Sequence, residues 1–412
     1  MSAVATVIRM VAGFVSIKVV AKIIGPSGIA LVGQFMNSIT MMGSLGTGAI
    51  GQGVTKYIAE NQNNPGEQNK IIANAIRITL FSSILVSLFV ILFYRHIGII
   101  IFDSHDHDSL VVVFAITLGL YSFNLLFISI INGFKAFRKY VVINIISSIT
   151  VLITSVLLVL WLGLEGALIN CIISQTIVIG ITLYFIKKEE WYSSIFKVSQ
   201  IDKKIIKKLG AFSLMALTTA VLTPLGQIII RSFIADNISL DRAGLWEGIN
   251  RLSSMYLAVI TTSIATFYLP RLAEIKEANL LRHEVLKTAK IVLPPLAAIC
   301  FLIFLGRDVL ISIIFSREFT PMRDLFPMQL LGDFLKISSW LIAFLFFAKA
   351  ETKKFIIAEV IGNLTLVVTS IFFVKRFGLV GATYAYAMTY FIYFMLVLYF
   401  FRNLFFHHFS RS

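Results

Sequence analysis

Windows of about 20 predominantly apolar residues recur twelve times along this chain, near residues 4–24, 28–49, 75–94, 109–132, 140–161, 165–186, 211–234, 243–268, 290–314, 325–348, 355–374 and 381–401. A helix of about 20 residues spans the roughly 30 Å hydrocarbon core of a bilayer. Inside lipid every backbone amide must find its partner within its own segment, so each window predicts a helix. An apolar share of 58% and a mean hydropathy of +0.89 exclude a soluble globular chain. The expected class is an all-α polytopic membrane protein with twelve transmembrane helices. The first window starts almost at Met1, so it is expected to stay as a span rather than to be cleaved as a signal peptide.

A net charge of +15 would ordinarily raise the question of nucleic acid. Its distribution answers otherwise. With the N-terminus inside, the cytoplasmic segments hold 23 of the 36 Lys and Arg residues and the opposite loops hold 7. That bias is the positive-inside rule, and it predicts both termini in the cytoplasm. Nucleic acid is therefore not an expected partner; membrane lipid is. Cys171 and Cys300 both fall in spans and read as small buried hydrophobes, and neither a disulfide framework nor a metal quartet can be built from two cysteines. In the run Asp103-Ser104-His105-Asp106-His107-Asp108 the two histidines match no specific ligand spacing and read as a periplasmic turn. No metal and no cofactor are expected.

The chain repeats itself at an offset of 214–215 residues. Leu31 and Tyr57-Ile58-Ala59-Glu60 align with Leu245 and Arg271-Leu272-Ala273-Glu274. Lys135-Ala136 and Lys139-Tyr140-Val141-Val142 align with Lys349-Ala350 and Lys354-Phe355-Ile356-Ile357 after one inserted residue. Gly163-Leu164-Glu165-Gly166-Ala167 aligns with Gly378-Leu379-Val380-Gly381-Ala382. Three collinear matches predict an N-terminal six-helix bundle over 1–186, a basic cytoplasmic linker over 187–208 and a C-terminal six-helix bundle over 209–412. Six crossings is an even number, so the pseudo-symmetric halves face the same way, a relation that places a substrate site between them. The pairs Lys203-Lys204 and Lys207-Lys208, separated by Ile205 and Ile206, read either as a helix lying on the anionic inner leaflet or as a solvated connector.

Among the ionisable side chains that fall within the spans, nine stand out: Arg9, Lys18, Lys22, Arg231, Glu247, Arg251, Asp333, Lys336 and Glu359. Each costs about 2.5–3.5 kcal/mol at a bilayer centre, so the default reading of an intramembrane charge is a transport site. Six positive groups against three negative ones point to an anionic cargo. In the alignment Asn37 falls on Arg251 and Asn144 on Glu359, so polar groups recur at matching places in the two halves.

The run from Ile24-Gly25-Pro26-Ser27-Gly28-Ile29-Ala30-Leu31-Val32-Gly33-Gln34-Phe35 to Gly51-Gln52-Gly53-Val54-Thr55-Lys56-Tyr57 resembles the second span of the Wzx-type flippases. So does Phe319-Thr320-Pro321-Met322-Arg323-Asp324-Leu325-Phe326, followed by Gln329-Leu330-Leu331-Gly332-Asp333-Phe334-Leu335-Lys336. These O-antigen translocases and enterobacterial common antigen (lipid III) flippases form the polysaccharide branch of the MOP exporter superfamily. The resemblance implies a MATE-like, V-shaped bundle of two six-helix halves that opens alternately to each side of the bacterial inner membrane. It implies an undecaprenyl-pyrophosphate-linked oligosaccharide as cargo, with a glycan polymerase and a chain-length regulator as candidate partners. Lys18 and the Asp333/Lys336 pair fall on positions that are similar in the family.

A pyrophosphate stripped of water needs strong donors, which Arg and Lys supply through charge-assisted bonds. Arg231, Arg251, Lys18, Lys22, Lys336 and Arg9 are the candidate pyrophosphate contacts. Arg231, with no evident partner nearby in sequence, is the foremost of them. Lys22 also reads as a side chain snorkelling to the interface and Arg9 as an inner-leaflet anchor. Arg251 with Glu247 (i,i+4), and Asp333 with Lys336 (i,i+3), also read as structural neutralising pairs. Energy coupling needs a group whose charge changes during the cycle; Asp333, Glu359 and Glu247 are the candidate ion-coupling sites for proton or sodium antiport, beside an uncoupled uniport. Gln34, Asn37, Asn124, Gln227, Asn250, Trp246 and Tyr256 are the candidate sugar contacts, and Pro224, mid-span, is the candidate hinge. A multidrug or cation antiporter of the same superfamily would need an acidic cavity. A membrane-embedded glycosyltransferase or polymerase would need a catalytic constellation at one surface, and no nucleotide-binding loop is present.

Overall fold

The computed structural model describes residues 2–195, 202–349 and 351–406, and among these the chain is all-helical, without a strand. Part of the 187–208 segment, Ala350 of the second repeat match and the last six residues lie outside the described residues. Among the described residues nine helices are long and apolar enough to cross a membrane. The chain divides into two compact units, Met1–Ile24 with Leu31–Ile228, and Gly25–Ala30 with Ile229–Ser412.

The first unit contains most of α1 (Ser2–Gly46), then α2 (Gly51–Glu60), α3 (Pro65–Leu92), α4 (Tyr94–Phe102), α5 (Asp108–Gly133), α6 (Phe137–Ile186) and the greater part of α7 (Lys203–Asn237). Helix α3 starts where its local chemistry dictates. Asn64 caps it by accepting from the Glu67 amide at 3.2 Å, and Pro65 occupies the first turn, where no amide proton is required. Helix α5 packs on α2, α3 and α6. One end of the unit is closed by an apolar cluster in which Trp191 stacks on Phe134 at 5.7 Å, beside Ile58, Ile72, Ile205 and Leu209.

Lys203-Lys204 and Lys207-Lys208 are not a separate surface helix. They are the first turns of α7, where Asp202 accepts from the Lys204 and Ile205 amides at 2.8 and 3.3 Å. Ile205 and Leu209 turn into the core, and the four lysines stay exposed.

The second unit contains the Gly25–Ala30 stretch of α1 and the end of α7, then α8 (Leu240–Glu274), α9 (Ala278–Leu305), α10 (Arg307–Ile314), a 3₁₀ segment Arg317–Leu325, α11 (Phe326–Ala348), α12 (Thr352–Phe377), α13 (Val380–Phe400) and α14 (Arg402–Phe406). Helix α11 is its centre and packs on α8, α9 and α13. Close approach at α8 requires glycine. A Cβ on Gly244 would strike the Pro26 carbonyl, and one on Gly248 would press on Met322, Phe315 and Phe319 at 3.2–3.3 Å.

Two helices are far too long for one crossing. At 1.5 Å per residue, the 50 residues of α6 would reach about 75 Å. Each long helix breaks at a glycine, α1 at Gly25 (φ 67) and α6 at Gly163 (φ 58), backbone conformations that side chains rarely tolerate. The repeat is visible in this detail. Gly378, aligned with Gly163, adopts φ 62 between α12 and α13. Three residues further on, Gly166 and Gly381 admit the carbonyls of Leu158 and Phe373, each five residues before the break. Likewise Ala136 N–H donates to Ile131 O at 3.2 Å and Glu351 N–H to Phe346 O at 2.8 Å.

Nothing lies within 4 Å of a Cβ built on Gly378, so Gly378→Ala carries only the backbone penalty, about 1–3 kcal/mol. Gly180→Ala, mid-helix and equally unobstructed, gains up to about 1 kcal/mol of helix propensity. Thermal unfolding in detergent is expected to show the first variant melting below the parent and the second at or above it.

Candidate functional site

The intramembrane charges of the second unit are drawn into one polar interior on α7, α8, α11, α12 and α13. Arg231, near the end of α7, is buried, with Nη2 2.5 Å from Glu247 Oε2 on α8. One turn further along α8, Arg251 donates from Nε to Glu247 Oε1 at 2.7 Å. The guanidinium of Arg231 also stands 5.7 Å from the Trp246 ring centroid, within cation–π range. Glu247 is therefore held between two arginines and the triad carries a net positive charge. The Arg251 side chain keeps 23% of its surface exposed against 3% for Arg231. This changes the expectation for Arg231. It has an acidic partner, supplied by the next helix and not by its own, and of the two bases Arg251 is the accessible one.

A second cluster lies on α11. Asp333 is fully buried, and its carboxylate accepts from Ser253 Oγ at 2.7 Å, from Tyr386 at 2.8 Å and from the Tyr256 hydroxyl. Gln329, one turn earlier, donates to Ser253 Oγ at 3.2 Å and to Asn250 Oδ1 at 3.4 Å. Lys336 points its ammonium at three rings, 5.5 Å from the Trp340 centroid, 5.9 Å from Tyr386 and 5.3 Å from Tyr390. The same ammonium donates to the Tyr390 hydroxyl and feels the charges of both Asp333 and Glu359. Glu359, half-buried on α12, accepts from Tyr393 at 2.9 Å.

Of the residues singled out from sequence, Arg231, Glu247, Arg251, Asn250, Trp246, Tyr256, Asp333, Lys336 and Glu359 thus belong to the second unit. Ser253, Gln329, Tyr386, Tyr390 and Tyr393 join them without having been singled out. The tyrosines had a signal: spaced i, i+4, i+7, they share one face of α13.

The other candidates lie in the first unit. Arg9 and Lys22 are exposed, and Lys18 and Asn37 are half-buried. Gln34 and Asn124 are buried. The first donates to Ile100 O at 3.4 Å and the second accepts from Thr182 Oγ1 at 2.8 Å, bonds that tie helices of that unit together. Gln227 is half-buried, and α7 runs on as helix through buried Pro224. His105 pairs with Asp108 at 3.0 Å in an exposed turn, and no cluster able to hold a metal ion occurs among the described residues.

The polysaccharide biosynthesis protein family matches residues 1–276. The lipid III flippases of Escherichia coli strain K12 and of Shigella flexneri are each 33% identical over 397 residues, 96% of this chain and 95% of theirs. Among solved structures, an inward-facing multidrug resistance MATE family transporter of the MOP superfamily matches with a TM-score of 0.79 at 14% identity, over 97% of this chain and 98% of that one. A MOP superfamily transporter from Pyrococcus furiosus matches with a TM-score of 0.69 at 14% identity, over 97% and 96%. At that identity the two structures speak for the fold.

Removing the Glu247 charge would leave the buried Arg231 guanidinium facing the half-buried one of Arg251, a loss of about 3–5 kcal/mol for a broken buried pair. Glu247→Gln is expected to lower the melting temperature of the detergent-solubilised protein, and Glu247→Gln with Arg231→Met to recover most of the loss. A Glu247→Gln protein that melts with the parent would show that the triad is not bonded as described.

Proposed function

We propose that this chain, which belongs to the polysaccharide biosynthesis protein family and to the MOP exporter superfamily, carries a polyprenyl-pyrophosphate-linked oligosaccharide from the cytoplasmic to the periplasmic leaflet of a bacterial inner membrane. It is a transporter and not an enzyme, as its flippase relatives and the MATE-type fold indicate. The observation that carries the cargo reading is the Arg231–Glu247–Arg251 triad: one carboxylate shared by two arginines leaves a net cation inside a span. Arg251 engages Glu247 through Nε and keeps part of its side chain exposed, which leaves the rest of its planar fork available to a phosphate. A cationic drug would find repulsion there.

Twelve crossings follow if α1 and α6 are each divided at their glycine breaks and α8 is counted. Helix α8 has the length, but it carries Asp241, Arg242, Glu247 and Arg251 in its first half. The positive-inside bias then places both termini in the cytoplasm. Lys18, Lys22 and Arg9 are the candidate pyrophosphate contacts of the first unit, and Asn250 beside Arg251 is the candidate first sugar contact of the second. Exposure to the two sides alternates, with Pro224 as a hinge, and a periplasmic glycan polymerase with its chain-length regulator would receive the product. Proton or sodium antiport through Asp333 or Glu359 supplies the drive, assisted by the potential, worth about 2.3 kcal/mol per charge per 100 mV for an anion leaving an inside-negative cell. Glu247, held by two arginines, is the least suited of the three carboxylates to changing its charge.

The test is transfer of a fluorescent polyprenyl-pyrophosphoryl saccharide across proteoliposomes. Arg251→Gln removes a charge-assisted bond worth about 1.5–3 kcal/mol and is expected to slow transfer at least tenfold while the protein melts near the parent. Asp333→Asn is expected to abolish the response of transfer to an imposed pH or Na⁺ gradient. Parent transfer that ignores both gradients would remove antiport; uptake of a cationic dye in place of the saccharide would remove the cargo assignment.

A further inference from the structure

The cluster around Lys336 has the composition of a cation-binding cage. Three aromatic rings, Trp340, Tyr386 and Tyr390, lie within 6 Å of one point, and two carboxylates, Asp333 one turn earlier on α11 and Glu359 on α12, act on that point. Ring faces and carboxylates together are the recognition chemistry of a small organic ammonium. The point they converge on is occupied by the chain's own ammonium, on a side chain rooted one turn from Asp333. The enclosing elements are rigid. Asp333 is locked by three hydroxyl donors, Glu359 by Tyr393, and Tyr386 and Tyr390 pack ring on ring with centroids 4.9 Å apart. These contacts do not involve the lysine; of the groups around it, Tyr390 alone is also bonded by the ammonium.

We propose that residues of α11, α12 and α13 form a site for a primary ammonium or another small monovalent cation, and that in the native protein Lys336 fills it as a tethered occupant. Lys336 then serves as an internal counter-charge to Asp333 and Glu359, not as a standing contact for cargo phosphate. The site is complete within the second unit and is independent of what the protein carries, so this assignment and the cargo reading stand or fall separately. Two consequences follow. A dissolved metal or organic cation does not compete measurably for the native cage, because the tethered ammonium is present at high effective concentration, so of the two antiport ions proposed above this assignment leaves the proton. Taking away the ammonium while keeping the stem volume opens the cage to a cation from solution.

The experiment uses the full chain in detergent and reads thermal unfolding against added salt for the parent, Lys336→Met, and Lys336→Met with Glu359→Gln. Methylammonium chloride and sodium chloride are the probes. N-methylglucamine chloride, too bulky for the cage, controls for ionic strength. The parent is expected to respond to the three salts alike. Lys336→Met is expected to melt about 5 °C lower and to recover at least half of the drop in a saturable manner with methylammonium, to a smaller extent with sodium, and not with N-methylglucamine. In the double variant the recovery is expected to need at least tenfold more methylammonium. Should Lys336→Met not survive solubilisation, methylammonium present during solubilisation must rescue it and N-methylglucamine must not. A Lys336→Met protein that melts with the parent and ignores methylammonium, or one that all three salts restore equally, would overturn the assignment, as would a failure of rescue at solubilisation.

Discussion

The arrangement of the second half follows from the cost of holding charge in hydrocarbon. Arg231, Glu247, Arg251, Asp333, Lys336 and Glu359 are each affordable only with partners, and no span supplies its own in full. Arg231 waits for Glu247 from α8, Asp333 for hydroxyls from α8 and α13, Glu359 for Tyr393. These bonds cross between helices, so they specify which helices are neighbours and in what rotation, a specification that the apolar faces lack because lipid tails are as apolar as leucine. The central position of α11 has the same origin. It carries Gln329, Asp333 and Lys336 on successive turns, and its neighbours answer each of them.

Charge balance then divides that interior into two parts. Around Glu247 the bases outnumber the acid, leaving a cationic surplus in reach of Arg251's exposed edge. Around Lys336 two carboxylates meet one ammonium and the surplus is negative. The two parts differ in sign, and that separation is reached with a few residues on adjacent turns of α8 and α11.

Much of this was legible in the sequence for physical reasons. Windows of span length announced the helices, because lipid leaves the backbone no alternative. The repeat was legible because glycines at backbone turns, Gly163 and Gly378, cannot drift without strain. Long-range partners were not legible. Arg231 reads as unmatched along its own span because its acid sits 16 residues away on another helix. The rings around Lys336 were not legible, because a cluster assembled from α11 and α13 leaves no contiguous pattern. The tyrosines of α13 passed for ordinary membrane aromatics, although their shared face was there to be counted. The lysines at 203–208 read as a surface helix because periodicity cannot tell a helix that ends from one that continues into the next span.

The central claim is that the surplus charge of the Arg231–Glu247–Arg251 triad recognises pyrophosphate. Equilibrium binding of short-chain polyprenyl pyrophosphate, polyprenyl monophosphate and the uncharged polyprenol to the purified parent and to Arg251→Gln tests it most directly. The account predicts affinity that rises with each phosphate and a preference for pyrophosphate that shrinks at least tenfold in the variant. Equal affinity for all three lipids, or a pyrophosphate preference that survives loss of Arg251, would contradict it.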